Sequence, residues 1–284
     1  MKHRILLILL LFNFAAFAQE DLLQQLDTVK PAEKQVEIAA FKALQIGNMQ
    51  STKLTAKGEW YVIISHRFGD LTQGFDNFFG LDDANTKLGA IYGITDWLSV
   101  AATRHTAGKV YELAVKYRFA SQKIDGFPVT IVGYNTMDIN SELDTDVYPN
   151  LKSSQRFAYS TQLLISRKVS EKLSFEVAPM FIYKNLYDPT IENQKQFVIG
   201  TGGRWKVAKR ISINLEYGWQ IDNPYCSITH NPLTAGIDIE TGGHVFQLVF
   251  SNTQLMNDVG VFANPASKLD GGGIFFGFNM YRVF

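Results

Sequence analysis

The stretch RISINLEYGW, Arg210 to Trp219, alternates between two kinds of side chain. Its odd-numbered positions are Ile, Ile, Leu, Tyr and Trp, whereas the even-numbered positions after Arg210 are Ser, Asn, Glu and Gly. A period of two residues places successive side chains on opposite faces of a β-strand. The stretch therefore predicts a strand with one apolar face and one polar face.

The same alternation recurs along the chain from Glu59 onward and predicts an all-β fold. The runs are about ten residues long, which suits a tilted membrane-spanning strand better than a typical soluble strand of about five or six residues. We predict twelve strands: Glu59–Phe68, Thr86–Ile94, Trp97–His105, Lys109–Phe119, Val129–Asp138, Gln155–Arg167, Lys172–Tyr183, Gln196–Lys206, Arg210–Trp219, Leu233–Thr241, His244–Asn252 and Gly273–Phe284. Pro179 within one of these runs suggests a β-bulge, because proline cannot donate to the ladder.

Two features favour a transmembrane antiparallel β-barrel over a periplasmic β-sandwich, which remains the alternative. Aromatic residues such as Tyr111 and Trp219 lie at the ends of the apolar faces, where an interfacial girdle is expected. The opposite faces carry charges and glycines in place of a second set of core residues, as in a polar barrel interior. The sequence therefore predicts a barrel of about twelve strands.

The N-terminus, MKHRILLILLLFNFAAFAQ, has the basic, apolar and small-residue regions of a secretory signal peptide. We predict a signal peptide over residues 1–18 with cleavage near Ala18 and Gln19, a periplasmic leader or plug over residues 19–57, and the barrel over residues 58–284. Within the leader, Glu20 to Gln45 has a helical or loosely structured pattern.

The connections and the C-terminus predict how the barrel closes. Short connections such as VSEK (169–172) alternate with longer ones such as 139–154, as periplasmic turns alternate with extracellular loops. An even strand number places both termini on the periplasmic side. We predict that the last strand pairs with the first, because an open edge in lipid would leave backbone groups unsatisfied. An alternating strand that ends on Phe resembles the signal read by the barrel-assembly machinery. We assign closure and this signal to one face of the last strand: Phe276, Phe278, Met280 and Phe284.

Five stretches resemble domain-of-unknown-function family 5777, a family of outer-membrane β-barrels. They are ISHRFG (64–69), FFGLDDAN (78–85), YGIT (92–95), DIETGGHVFQL (238–248) and the final GFNMYRVF. The resemblance implies an outer-membrane barrel in contact with lipid. It implies no activity, cofactor or substrate.

Composition excludes several functional classes. Lys plus Arg and Asp plus Glu each number 27, so the chain has no basic excess for a nucleic-acid partner. The single cysteine, Cys226, has no intramolecular disulfide partner and no zinc-binding neighbours. We expect no cofactor.

Candidate catalytic and metal residues are few. His66 and His244 lie in the family-like stretches, and we interpret both as polar residues at strand ends. Asp82 and Asp83 could ligate calcium but suit a solvated loop tip. No nucleophile motif appears, and we predict that the chain is not an enzyme, with a membrane-embedded hydrolase as the less favoured reading.

The predicted barrel interior carries charges of both signs. Twelve strands lie between small barrels filled by side chains and large open porins, so an open and a plugged lumen both remain possible. We predict a narrow pore or transporter for small polar solutes, with a non-conducting, partner-binding scaffold as the alternative. The candidate lumen-lining residues are Glu112, Lys116, Arg118, Arg156, Arg204, Glu216, Asp238 and Glu240.

Overall fold

The chain forms twelve antiparallel strands that close into a barrel. The computed structural model describes residues 37–221, 230–242, 244–264, 266–268 and 272–284. The predicted signal peptide, residues 19–36 of the leader and Cys226 lie outside these residues. The strands are β1 (Trp60–Asp70), β2 (Ala84–Thr95), β3 (Leu98–His105), β4 (Val110–Ala120), β5 (Thr130–Asn140), β6 (Phe157–Lys168), β7 (Leu173–Lys184), β8 (Lys195–Ala208), β9 (Ile211–Ile221), β10 (Leu233–Thr241), β11 (His244–Ser251) and β12 (Phe275–Val283).

Each strand pairs with its neighbours in sequence, and β12 pairs with β1. The predicted all-β fold and its twelve strands are confirmed. The alternation succeeds because a strand's period is a local property that does not depend on which strand lies beside it.

The closing seam joins the first and last strands, with one register shift between Arg67 and Asp70. The register runs from Tyr61 opposite Val283 to Asp70 opposite Phe275. At its end the backbone N–H of Phe284 donates to the carbonyl of Trp60 at 2.9 Å. The barrel therefore leaves no strand edge unpaired.

The faces of β12 follow the alternation. Its outward side chains are Phe276, Phe278, Met280, Arg282 and Phe284, and the Arg282 guanidinium lies 4.7 Å from the Phe284 ring centroid. Its inward positions are Gly277, Asn279 and Tyr281. The role of the outward face as an insertion signal stays a prediction.

The bulge predicted at Pro179 is wrong. On one side Pro179 pairs with Ile199 in an unbroken β7–β8 register. On the other side Met180 lies opposite Gln162 and Val177 opposite Ile165, so the β6–β7 register is the same before and after the proline. The ladder skips this position without shifting, and the proline ring lies on the outward face.

The two ends of the barrel differ in their connections. The turn end has the connections 96–97, 121–129, 169–172, 209–210 and 242–243. The loop end has 71–83, 106–109, 141–156, 185–194, 222–232 and 252–274. The predicted alternation holds except at 106–109, which is short. Helical segments occur only at the loop end in the described chain: Leu71–Gly80, Ala107–Lys109 and Ser153–Arg156 are 3-10 helices, and α1 (Asp258–Ala263) is an α-helix. Among the described residues no helix is long and apolar enough to span a membrane.

Candidate functional site

Two segments of the chain occupy the barrel interior. The first, which we call the N-terminal insert, comprises residues 40–55, and all of them are buried except Lys42 and the half-buried Lys53. The second, the β11–β12 insert, comprises residues 253–264 and includes α1, whose six residues are all buried. The candidate site is therefore a filled lumen.

The N-terminal insert folds back on itself as a tight hairpin. The N–H of Ile46 donates to the carbonyl of Met49 at 2.8 Å, and the N–H of Ser51 donates to the carbonyl of Leu44 at 3.0 Å. Gly47 and Asn48 form its tip. A backbone hairpin of this kind leaves amides and carbonyls at its tip and edges that need partners from the barrel.

Glu216 on β9 binds the tip of this hairpin. Its carboxylate oxygens accept the backbone N–H groups of Asn48 at 2.7 Å and of Met49 at 2.9 Å. A carboxylate that accepts two backbone amides makes charge-assisted hydrogen bonds, which are stronger than neutral ones. Glu216 therefore fixes the position of the insert.

A polar wall continues around the hairpin from Glu216. Gln247 donates from Nε2 to the carbonyls of Gln45 and Ile46, both at 3.1 Å. Asn279 donates to the carbonyl of Gly47 at 2.8 Å. We define the polar wall by the inward residues of β9 to β12 and β1 that surround the hairpin: Asn214, Glu216, Thr234, Asp238, Gln247, Ser251, Asn279 and Arg67.

The other side of the lumen is apolar. The apolar wall consists of inward residues on β5 to β8: Val132, Leu164, Ala178, Met180, Ile182 and Val198. Insert residues Phe41, Ile46 and Met49 belong to the same buried cluster, together with Val259 and Phe262 of the β11–β12 insert. The expectation that the inward faces lack a second set of core residues is therefore wrong for these four strands, because the inserts need an apolar surface to pack on.

The glycines of β8 make room for the insert. A Cβ added at Gly202 would lie 2.7 Å from Cδ1 of Ile46, and one added at Gly200 would lie 2.7 Å from Sδ of Met49. Both distances are below ordinary van der Waals contact. The N-terminal insert therefore occupies the space that side chains would fill at these two inward positions.

The β11–β12 insert is attached through its polar N-terminal end. Asn257 donates to Oδ2 of Asp138 at 2.6 Å, and Lys87 donates to the carbonyl of Met256 at 3.3 Å. Asp258 accepts from Gln162 of β6 at 2.7 Å and from Gln50 of the N-terminal insert at 3.2 Å. Asp258 thus joins the two inserts to each other and to the barrel.

Asp258 lies on α1, outside the strands, and its environment disfavours ionisation. Burial raises the pKa of its carboxyl group to about 6, and the nearby negative charge of Glu112 adds to the rise. The carboxyl group that joins the two inserts therefore gains its proton as the pH falls through about 6.

Four of the eight predicted lumen residues bind the inserts or the residues next to them. Lys116 donates to the carbonyls of Ser51 at 3.0 Å and Leu44 at 3.3 Å. Arg118 pairs with Glu37 at 3.4 Å. The other two are Glu216, described above, and Glu112, whose carboxylate accepts from the N–H of Asp258 at 3.4 Å.

The other four predicted residues bind mainly to the barrel itself. Arg204 forms an ion pair with Glu240 and lies 4.0 Å from Asp238. Glu240 also pairs with the exposed Lys42 of the N-terminal insert at 3.3 Å. Arg156 is half-buried near the loop end and donates to the carbonyl of Asn140 at 3.2 Å. The conduction role predicted for all eight residues stays a prediction.

The lumen residues that were absent from the predicted set include Arg67, Lys87 and His105. Arg67 is fully buried and donates to Asn48 at 2.8 Å. Lys87 pairs with Glu112 at 3.4 Å, and His105 lies 4.0 Å from the same carboxylate. Each occupies an inward position of its strand, so the parity of the neighbouring residues could have identified it.

The histidines of the family-like stretches lie elsewhere. His66 is on the outward face of β1, and its ring centroid is 5.1 Å from that of Phe278. The prediction that His66 lies at a strand end is wrong, because β1 continues to Asp70. His244 is the first residue of β11.

Asp82 and Asp83 are exposed in the β1–β2 connection. Within the described part of the chain, no group of three or more His, Cys, Asp or Glu side chains is arranged to hold a metal ion. The predicted absence of enzymatic activity stays a prediction.

A family model described as a membrane bound beta barrel domain, domain-of-unknown-function family 5777, matches residues 41–284. The chain belongs to this family. The match begins at residue 41, so the domain of family 5777 includes nearly all of the N-terminal insert as well as the twelve strands. The barrel of this family 5777 member is membrane-bound.

The family 5777 chain is also similar to solved outer-membrane barrels, at low sequence identity. No curated protein matches it. The NanC porin has 10% sequence identity, covers 79% of this chain and 98% of its own, and gives a TM-score of 0.49. The KdgM porin has 10% identity, covers 79% and 99%, and gives 0.48. An outer-membrane channel from Pseudomonas putida F1 has 12% identity, covers 82% and 97%, and gives 0.42.

Proposed function

We propose that the chain is a gated outer-membrane pore or transporter for small polar solutes, closed in this state by its two inserts. The observation that carries the proposal is the polar wall. There the barrel holds the hairpin of the N-terminal insert by hydrogen bonds to its backbone and to the side chain of Asn48. Water can replace such bonds when the hairpin leaves, since a typical one contributes only about 0.5 to 1.5 kcal/mol net.

The N-terminal insert is attached at the turn end of the barrel, and this attachment gives the direction in which the insert leaves the lumen. The N–H of Ile38 donates to the carbonyl of Gln122 at 2.9 Å, and Glu37 bridges to Lys123. Both barrel residues belong to the β4–β5 connection. Short connections of outer-membrane barrels face the periplasm, so the insert enters from the periplasmic side and can be withdrawn toward it.

The apolar wall opposes a permanently open pore. Burial of one aliphatic side chain stabilises a protein by about 1.5 to 3 kcal/mol. Val132, Leu164, Ile182 and Val198 are each no more than 1% exposed, so wetting all four would cost on the order of 10 kcal/mol. We infer that opening is partial or driven by a solute or partner.

The same wall favours a second candidate function, a closed and non-conducting scaffold. In that case the inserts form a permanent core and the loops carry the function. The two candidates differ in whether loosening of the polar wall opens a conducting path.

Single-channel recording in planar bilayers tests the proposal. The wild-type chain should show rare, brief openings. Glu216→Ala leaves the amides of Asn48 and Met49 without their acceptor, at a cost of about 1 to 3 kcal/mol to the closed state. We expect its open probability to rise by at least about fivefold.

Glu171→Gln is the matched control, because Glu171 is exposed in the β6–β7 connection. This variant should conduct as the wild type does. Both variants must show heat-modifiable migration on unboiled gels, which reports a folded barrel. If wild type and Glu216→Ala are both folded and both silent, the chain is a scaffold and the pore proposal fails.

A further inference from the structure

A groove runs along the outer surface of β7, β8 and β9 near the turn end of the barrel. Its volume is about 600 Å³, within the range of about 300 to 1,000 Å³ that is typical of pockets for small-molecule ligands. Gly203 lies in the groove between Phe175 of β7 and Leu215 of β9, and it has no side chain to fill the space there. The outward side chains that line the groove include Phe175, Val177, Trp205, Ile213, Leu215 and Tyr217. The groove is therefore an apolar depression on the lipid-facing surface.

Arg167 borders this groove on its β6 side. It lies opposite Phe175, and Phe175 lies opposite Gly203, so the three residues form one row on the outer surface. Residues directly opposite each other have Cβ atoms about 4.5 to 5.5 Å apart. Arg167 is exposed and is the second-to-last residue of β6, so its guanidinium can reach the membrane surface while its aliphatic part stays beside Phe175. An arginine thus lies at the polar end of an apolar groove.

Other cations surround Arg167 at the turn end of β6 to β9. We define the basic patch as residues 167–172 and 206–210, which contain one carboxylate, that of Glu171, and these cations: Arg167, Lys168, Lys172, Lys206, Lys209 and Arg210. The two segments are adjacent, because the N–H of Lys206 donates to the carbonyl of Lys172 at 2.7 Å. The ion pairs of the described residues involve other cations. By comparison, the connection 121–129 balances Lys123 with Asp125. The basic patch therefore has a surplus of positive charge.

This surplus charge lies where lipid head groups are expected. A basic side chain on the lipid face of a barrel costs little free energy near the interface and more toward the bilayer centre. Clusters of about four to eight Lys or Arg residues beside a membrane attract anionic head groups. A guanidinium also binds a phosphate group through two parallel hydrogen bonds. The basic patch and the groove together therefore match the two ends of a phospholipid.

We propose that the groove and the basic patch bind one anionic phospholipid of the periplasmic leaflet, with its phosphate group on Arg167 and one acyl chain over Gly203. Short connections of outer-membrane barrels face the periplasm, which assigns the basic patch to that leaflet. An anionic lipid is favoured over a zwitterionic one, because Lys172 and its neighbours repel the ammonium group of a zwitterionic head group. The inference goes beyond the proposed function, since the site lies on the outer surface and does not depend on conduction.

Quenching of tryptophan fluorescence by brominated lipids in proteoliposomes measures lipid binding at one position of the surface. Trp205 lines the groove, whereas Trp60 is an exposed residue at the turn end of β1, where the carboxylates of Glu59 and Asp96 offset nearby cations. The test chain keeps Trp205 and the control chain keeps Trp60, with the other tryptophans replaced by Phe. The probes are phosphatidylglycerol and phosphatidylcholine with the same brominated acyl chains.

We expect Trp205 to show a preference for phosphatidylglycerol of at least about fivefold, the factor that one cation near an anionic membrane surface contributes. Trp60 should show no such preference. The difference between the two chains separates a local site from a general attraction of the barrel to anionic lipid.

Arg167→Gln in the Trp205 chain tests the phosphate contact. It should lower the preference by about fivefold, and Arg167→Lys should lower it less because the positive charge remains. Lys57→Gln is the control, since it removes an exposed cation at the same end but outside the basic patch, and the preference at Trp205 should not change. All variants must show heat-modifiable migration on unboiled gels. If Arg167→Gln does not fold, Lys172→Gln replaces it and should also lower the preference.

The other outcomes overturn the site. Equal binding of the two lipids at Trp205, or equal preferences at Trp205 and Trp60, would show that the groove does not select an anionic head group. An unchanged preference in folded Arg167→Gln would show a diffuse attraction in place of a bound phosphate. Quenching at Trp60 but not at Trp205 would show that another occupant, such as a second copy of the chain, covers the groove. A preference confined to Trp205 and lowered in Arg167→Gln supports the site, whatever the bilayer recordings show about the pore.

Discussion

The two walls of the lumen hold the same insert by different interactions. On the polar wall, side chains of β9 to β12 and β1 donate to or accept from the hairpin, with Glu216 binding its tip. On the apolar wall, side chains of β5 to β8 pack against Phe41, Ile46 and Met49. Water can substitute for a hydrogen-bond partner but not for an apolar one.

The two walls have different effects on the insert: one fixes the position of the hairpin and the other stabilises the filled lumen. Hydrogen bonds are directional, so the polar wall determines where the hairpin lies and how readily it can shift. The apolar wall determines how much free energy is lost if the lumen fills with water. A lumen with two polar walls would cost little free energy to fill with water, whereas a lumen with two apolar walls would cost much more. This chain has one wall of each kind.

The largest effect on stability is expected on the apolar wall. Ile182→Ala should lower the free energy of unfolding by about 2 to 5 kcal/mol, because it leaves a cavity beside the inserts. Urea unfolding of the detergent-refolded barrel measures the loss. Val169→Ala, in the exposed β6–β7 connection, should change stability by less than about 0.5 kcal/mol. A loss at Ile182 no larger than the control's would mean that the wall is not packed.

A smaller loss is expected on the polar wall. Gln247→Ala removes the donor to the carbonyls of Gln45 and Ile46 and should cost about 1 to 3 kcal/mol. The same unfolding measurement applies. A cost at Gln247 that exceeds the cost at Ile182 would reverse the assignment of stability to the apolar wall.

The smallest effect concerns pH. The raised pKa of Asp258, about 6 against an ordinary 3.8, means that the folded chain takes up a proton between these values. Its contribution to stability therefore increases as pH falls, by about 1 kcal/mol from pH 7 to pH 5. The ionisable groups whose charges act on Asp258 or respond to it are Glu112, Asp138, Lys87 and Lys116.

The Asp258 contribution is isolated by comparing the wild type with Asp258→Asn at both pH values. The variant should lack about 1 kcal/mol of the wild-type gain at pH 5. Equal pH dependence in the two proteins would show that Asp258 does not titrate in this range.

Most of the barrel could be predicted from the sequence, because strand periodicity and turn chemistry are local. The twelve strands agree with the predicted ranges to within two residues. The alternation also predicted the inward positions of Asp238 and Glu240. Arg67 follows from the same parity once Ile63 and Ser65 are recognised as inward.

The filling of the lumen could not be predicted in the same way. The positions of residues 40–55 depend on partners more than 150 residues away, such as Glu216 and Gln247, which no local pattern reveals. The alternation predicts polar residues at inward positions, and Leu164 and Ile182 are exceptions to it. The reason for their apolar character is visible only in the structure, where the inserts cover them. The insert between β11 and β12 was predicted only as the connection between the last two strands.

The accessibility of the N-terminal insert tests most directly whether the resting lumen is filled. In a Cys226→Ser background, Met49→Cys places a thiol at a position that is 0% exposed, and Lys42→Cys places one at an exposed position of the same insert. The measurement is the rate of reaction with a water-soluble maleimide in proteoliposomes. We predict that the Lys42→Cys thiol reacts at least about 100-fold faster, which corresponds to about 3 kcal/mol for opening of the insert. Equal rates would show that the insert does not occupy the lumen, and would contradict the account of a barrel closed by its own chain.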